Sequence, residues 1–161
     1  MCRSAPTDRR THEWAIPARL DNLSHVRWLV DQASADCDFN ASDRYALRLA
    51  VHEALANAIE WGAPDGSGNV RLRLEVDAEG VVVEVTDYGG FRVGSTPASL
   101  HDRGRGFAFI YEVMDEVDVD EAPGHTTVRF RRRPHGHLRA LERPSGARIG
   151  KRGRRRTPAR G

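Results

Sequence analysis

Glu53 and Asn57 stand four residues apart in the run V-H-E-A-L-A-N-A-I-E-W-G, residues 51–62. On a helix, that spacing sends both side chains out of one face, one turn above the other. At about 100° per residue the pair flanks an apolar stripe of Leu47, Val51, Ala54, Leu55 and Ala58. A carboxylate beside a carboxamide at the edge of a buried face can serve as a base and a metal ligand over one cleft. The same pair alone also reads as a solvated, hydrogen-bonding couple.

Three downstream segments extend the pattern. V-V-V-E-V-T-D-Y-G-G-F-R (81–92) is a β run ending in Asp87, with Gly89 and Gly90 directly after it. R-G-R-G-F-A-F-I (103–110) places Gly104 and Gly106 before an apolar helix, and H-T-T-V-R-F-R-R (125–132) reads as a strand with adjacent threonines. Gly104 and Gly106 can present backbone donors to phosphates at a helix start, with Arg105 between them as added charge or as a solvent-facing side chain. Asp87 can accept a hydrogen from an adenine exocyclic amine, although Asp before Gly is also ordinary turn chemistry. Gly89 permits close approach of backbone to a base.

In this order the four segments resemble the GHKL ATPases and, within them, the stand-alone bacterial anti-sigma factor serine/threonine kinases, over about residues 13–132. The resemblance implies ATP and Mg²⁺ as cofactors. It implies Glu53 as the general base toward a substrate hydroxyl and Asn57 as the Mg²⁺ ligand. Asp87 and Gly89 would hold adenine, Gly104, Arg105 and Gly106 the phosphate side, and Thr127 (or Thr126) would reach the adenine through water. His125 stands where the family has glycine, which leaves the threonine register open by one residue. Phe91 replaces the second glycine of Asp-x-Gly-x-Gly, a departure on the lid side. Trp61 falls where relatives commonly carry histidine and reads as a core or pocket-wall aromatic. His52 is rotated to another helix face and reads as a surface or packing residue.

The elements that must position these groups follow from periodicity. Residues 12–16 form an expected edge strand before Pro17; Leu20, Leu23, Val26, Val30 and Ala33 give a first helix to about Ala35, capped by Asp21 or Asn22. Asn40 or Ser42 caps the motif-bearing helix, which stops near Gly62. Val70, Leu72, Leu74 and Val76 alternate with Arg71, Arg73 and Glu75, and a turn at 77–80 returns the chain through Val81–Thr86 as a hairpin. Residues 92–103 read as a mobile lid, Gly106 to about Met114 as a helix, and Val117/Val119 and Val128/Phe130 as two more strands. Helices followed by an antiparallel meander describe an α+β, two-layer α/β sandwich, here of the GHKL (Bergerat) type, with helices on one face of a mostly antiparallel sheet.

Charge divides the 161 residues unevenly. The overall +2 hides a tail, from Arg133 onward, with ten Lys/Arg and one acid, Glu142. Residues 1–132 keep fifteen of the 25 basic and twenty-two of the 23 acidic residues. Only the tail could attract a phosphate backbone, so weak nucleic-acid binding is confined to it. The sole lysine, Lys151, also lies there, which excludes a Walker-type phosphate site in the folded part. Cys2 and Cys37 show no metal-binding spacing and read as structural thiols. With no apolar run near membrane-spanning length, the expectation is a soluble, cytoplasmic protein without a membrane partner.

The expected organisation is a flexible arm at 1–11, an ATP-binding kinase domain at 12–132 and a disordered Arg-rich tail at 133–161. The resemblance implies an anti-sigma factor that phosphorylates Ser/Thr of a small anti-anti-sigma (STAS-type) protein, sequesters a sigma factor and forms a homodimer. The alternative is a non-catalytic, ATP-dependent binding module that keeps the pocket without the transfer.

Overall fold

The computed structural model describes residues 9–63, 66–89 and 105–135. Along them run β1 (Arg10–Pro17), a single 3₁₀ turn (Leu20–Asn22), α1 (Leu23–Ala33), α2 (Ala41–Gly62), β2 (Asn69–Asp77), β3 (Gly80–Asp87), α3 (Arg105–Val113), β4 (Glu116–Ala122) and β5 (His125–Arg132). The arm before Arg9, the lid at 92–103 and the chain beyond His135 lie outside the described residues.

All neighbouring strands are antiparallel, in the order β1-β2-β3-β5-β4. This corrects the expected meander. β5 lies between β3 and β4, because α3 carries the chain across the sheet before β4 begins. β1 is an edge strand, as its position before Pro17 suggested, and starts at Arg10 rather than His12.

One face of the sheet is apolar. Val70, Leu72, Leu74 and Val76 of β2, Val81, Val83 and Val85 of β3, and Val128 and Phe130 of β5 are buried against the helices. From α1 come Val26, Val30 and Ala33; from α2 Leu47, Ala50, Val51, Ala54, Leu55, Ala58 and Ile59; from α3 Phe107 and Ile110. Each fully buried aliphatic side chain contributes about 1.5–3 kcal/mol of transfer free energy, and the small residues of α2 let its axis sit close to the strands. The opposite face is charged. Across the strands Glu13, Arg73, Glu84, Arg129 and Asp118 share one register row with alternating sign. Neighbours pair there, Arg73 with Glu84 at 3.2 Å and Arg129 with Glu84 at 3.5 Å, as suits a solvated face.

Helix ends follow local chemistry with one correction. Asn40 caps α2 and completes a reciprocal box with Asp43: the Asn40 side chain accepts from Asp43 N at 2.8 Å, and Asp43 accepts from Asn40 N at 3.3 Å. Neither Asp21 nor Asn22 caps α1; the Asn22 amide donates instead to the Pro17 carbonyl at 2.9 Å. The 3₁₀ turn that precedes α1 already fixes that entry, and the helix closes at Ala33. At the β4–β5 turn Pro123 precedes Gly124 with φ 93°, the residue order of a type II turn. Cys37 is buried, and burial pushes its thiol up to about 11, so it stays protonated and unreactive at neutral pH.

Candidate functional site

Three elements meet around the C-terminal half of α2. Glu53 and Asn57 are half-buried beside the core stripe, as their spacing required. One turn further on, the helix ends against the end of β3. Asp87 is only 8 % exposed and shares the inward face of Val81, Val83 and Val85. A Cβ built on Gly62 would overlap the Asp87 side chain, and one built on Gly89 would overlap the Gly62 carbonyl. Helix end, carboxylate and following loop are therefore in contact through two residues without side chains, a backbone cradle with an acid at its floor.

Asn57 adds a second sign of an incomplete site. Its side-chain nitrogen is buried and finds no hydrogen-bond partner among the described residues. An unsatisfied buried amide is costly, typically about 1–3 kcal/mol, and in a native fold calls for a partner beyond the described residues. A carboxamide offers oxygen or nitrogen by a half-turn about its last bond, so this group fits a hard oxygen-seeking cation or a polar ligand.

The strand register decides between the two threonines. Asp87 pairs with Thr126 and Thr86 with Thr127. Thr126 shares the face of Val128 and Phe130, the helix side. Thr127 points the other way, and its hydroxyl lies 2.9 Å from that of Thr86 on the charged face. Thr126 is thus the threonine on the face of Asp87 and Thr127 lies on the opposite face, because alternation along a strand admits only one of two adjacent residues to a given face.

α3 packs on α2 and is held by its last residue, since Arg132 Nη1 donates to the Val113 carbonyl at 2.5 Å. Its nine residues span about 13 Å. Arg105 opens the helix and Gly106 lies in its first turn; Gly104 lies outside the described residues. Trp61 is not a core residue: it is 47 % exposed. His52 is half-buried, with its Nδ1 unpartnered among the described residues.

Sequence reasoning missed a polar cluster at the other end of α2. Asp43 is fully buried and accepts from Arg132 (Nη2 2.6 Å, Nε 3.1 Å) and from the His135 backbone at 3.0 Å. Asn40 donates to the His135 carbonyl at 2.6 Å. Residues 133–135, assigned from composition to the tail, are therefore docked on the domain. The capping-box spacing of Asn40 and Asp43 was the available signal, but it says nothing of Arg132 or His135, which arrive from the far end of the chain.

Comparison with known proteins agrees with this geometry. The chain is 25 % identical over 120 residues to the anti-sigma F factor of Thermoanaerobacter sp. (strain X514), covering 69 % of this chain and 84 % of that protein. It is 26 % identical over 119 residues to the anti-sigma F factor of Clostridium acetobutylicum, covering 68 % of this chain and 83 % of that protein. Among solved structures, the RsbU and RsbW domains of a Mycobacterium tuberculosis protein superpose with a TM-score of 0.58 at 20 % identity, covering 78 % of this chain. This chain spans 33 % of that one, and the likeness is one of fold. Residues 16–132 match the sequence profile of the histidine kinase-like ATPase domain. With the cradle at Gly62, Asp87 and Gly89 lying inside that match, the chain belongs to the histidine kinase-like ATPase domain family.

Proposed function

We propose that this protein is an ATP- and Mg²⁺-dependent serine/threonine protein kinase that phosphorylates an anti-anti-sigma (STAS-type) protein and holds a sigma factor inactive. The observation that carries the reading is the cradle of Gly62, Asp87 and Gly89 beside the buried, unpartnered amide of Asn57 on the same helix as Glu53. The anti-sigma F factor relatives support the choice of partner class.

Asp87 accepts from the adenine amine, which distinguishes adenine from guanine, whose equivalent atom is itself an acceptor. Gly62 and Gly89 let the helix end and the following loop close on Asp87 and on each other, and Thr126 is the threonine placed on the same face. Bound ATP and Mg²⁺ supply the transferable phosphoryl group and its counter-charge. Asn57 would offer the cation a side-chain oxygen, and the first-turn amides of α3 at Arg105 and Gly106 would supply donors for anionic oxygens with the helix dipole behind them. With no lysine in residues 1–150, backbone donors, arginine and metal must carry the phosphate charge. Glu53 would take the proton of the acceptor Ser or Thr hydroxyl as its oxygen bonds the γ-phosphorus and the bond from that phosphorus to the β-phosphate oxygen breaks, with ADP as the leaving group. Homodimerisation and a cytoplasmic location belong to the same proposal; among the described residues no helix is long and apolar enough to cross a membrane.

The test is incubation with γ-labelled ATP and candidate anti-anti-sigma proteins from the same genome, alongside calorimetry with ATP and GTP. Transfer to Ser or Thr of one candidate, with ATP preferred over GTP and the preference weakened by Asp87→Asn, is expected. Tight ATP binding and sigma-factor capture without transfer to any candidate would leave a binding module instead. Equal affinity for ATP and GTP would overturn the adenine site.

A further inference from the structure

We propose that Arg132 is a positioning residue for nucleotide binding: its guanidinium pins the C-terminal end of α3 to α2, and the pinned helix keeps its first turn set for the phosphates of ATP. The three guanidinium nitrogens are divided between the two helices. Nε and Nη2 donate to Asp43 Oδ1 at 3.1 and 2.6 Å, and Nη1 donates to the Val113 carbonyl at 2.5 Å. Asp43 lies in the first turn of α2 and is fully buried, and Val113 is the last residue of α3. The carboxylate is not free to follow a moving arginine, since its Oδ2 accepts from the backbone of Asn40 at 3.3 Å and of His135 at 3.0 Å. A guanidinium is a rigid planar fork, so a seat fixed on Asp43 also fixes Nη1 and the carbonyl it holds.

A helix end leaves its last carbonyls without partners inside the helix, and a cation there complements the helix dipole. Arg132 meets both needs for α3. The turn that follows is tied to the same stretch of chain: Asp115 N donates to the Arg131 carbonyl at 3.0 Å, and the Asp115 carboxylate accepts from Arg133 N at 2.8 Å. Phe107 and Ile110 seat the buried side of the helix in the core. A nine-residue helix moves as a short rod, so releasing one end tilts the other. At that other end stand Arg105 and Gly106, whose backbone donors the proposed function assigns to phosphate, and the inference rests on that reading. Arg132 therefore governs the phosphate share of nucleotide affinity, whereas the adenine share, at Asp87, belongs to β3 and the end of α2.

Arg132→Lys in the full chain separates the two duties of the guanidinium. A lysine keeps a positive charge beside Asp43, but its single nitrogen cannot fill three positions. ATP binding is measured by calorimetry and adenosine binding by NMR titration, in wild type and variant. ATP affinity should fall by about tenfold while adenosine affinity stays at the wild-type value, a split that general loss of structure does not produce. Equal loss for both ligands, or no loss for either, would overturn the proposal. A wild type that binds neither ligand would overturn the nucleotide site itself, and the inference with it. Hydrogen exchange of the wild type tests the pin without mutation, and decides the matter if the variant does not fold. The amides of residues 110–113 should exchange as slowly as those in the middle of α2, and exchange at the rate of a frayed helix end would show that Arg132 does not hold α3.

Discussion

The two ends of α2 treat polar groups in opposite ways. At the N-terminal end, Asp43 is fully buried and engaged by Asn40, Arg132 and His135, with Arg132 also reaching the last carbonyl of α3. At the C-terminal end, Asn57 and His52 each leave a buried nitrogen unpartnered among the described residues, and Gly62 and Gly89 pack backbone where no side chain would fit. A saturated network fastens the domain, whereas an unsaturated one spends stability to be ready for a ligand. Both lie on one 22-residue helix.

Five substitutions break or sharpen that contrast. Glu53→Ala should lower phosphate transfer by about 10²–10⁴-fold with nucleotide affinity and melting temperature near wild type, because a base acts on the hydroxyl proton and not on ground-state binding. A labelled-phosphate assay measures it, and transfer at the wild-type rate would remove Glu53 from the role of base. Asp43→Ala should cost about 3–5 kcal/mol in urea denaturation, since Arg132 would be left buried without its counter-charge. A loss below about 1 kcal/mol, the range of surface pairs, would show that the N-terminal network does not anchor the fold.

Asn57→Ala should do the reverse. Removing an unpartnered buried amide leaves stability within about 1 kcal/mol of wild type or raises it. Nucleotide affinity measured by calorimetry should lose its Mg²⁺ dependence in this variant. A large drop in melting temperature would place Asn57 with the structural groups. The smallest effect separates the threonines. Thr126→Val should weaken ATP binding by about tenfold or less, one modest hydrogen bond, whereas Thr127→Val on the opposite face should leave affinity unchanged. The opposite ranking would reverse the register argument.

Much of this was legible before folding. The alternation of β2 and the stripe of α2 report burial periodicity directly, and both elements end within one residue of the glycine or aspartate that signals the turn. Local chemistry was ambiguous where two adjacent residues could each serve. Asn40 rather than Ser42 caps α2, and Thr126 rather than Thr127 faces the helices. Composition misread residues 133–135, because a run of Arg, Pro and His has no apolar period even when its polar groups find buried partners. For Trp61, aromatic character suggested burial, yet its place in the last turn of α2 leaves it exposed.

The sequence by itself determined which side chains share a helix face or strand face and where the chain turns, because these depend on neighbours within a few residues. It therefore placed Glu53 beside Asn57 and Asp87 at a strand end. Only the tertiary structure decided the insertion of β5 between β3 and β4, the contact of Gly62 with Asp87, the choice of Thr126, and the meeting of Asp43 with Arg132 and His135 across about 90 residues of chain. Such contacts are set by packing the whole sheet against the whole helix layer, and no local pattern carries information about which distant residue will arrive.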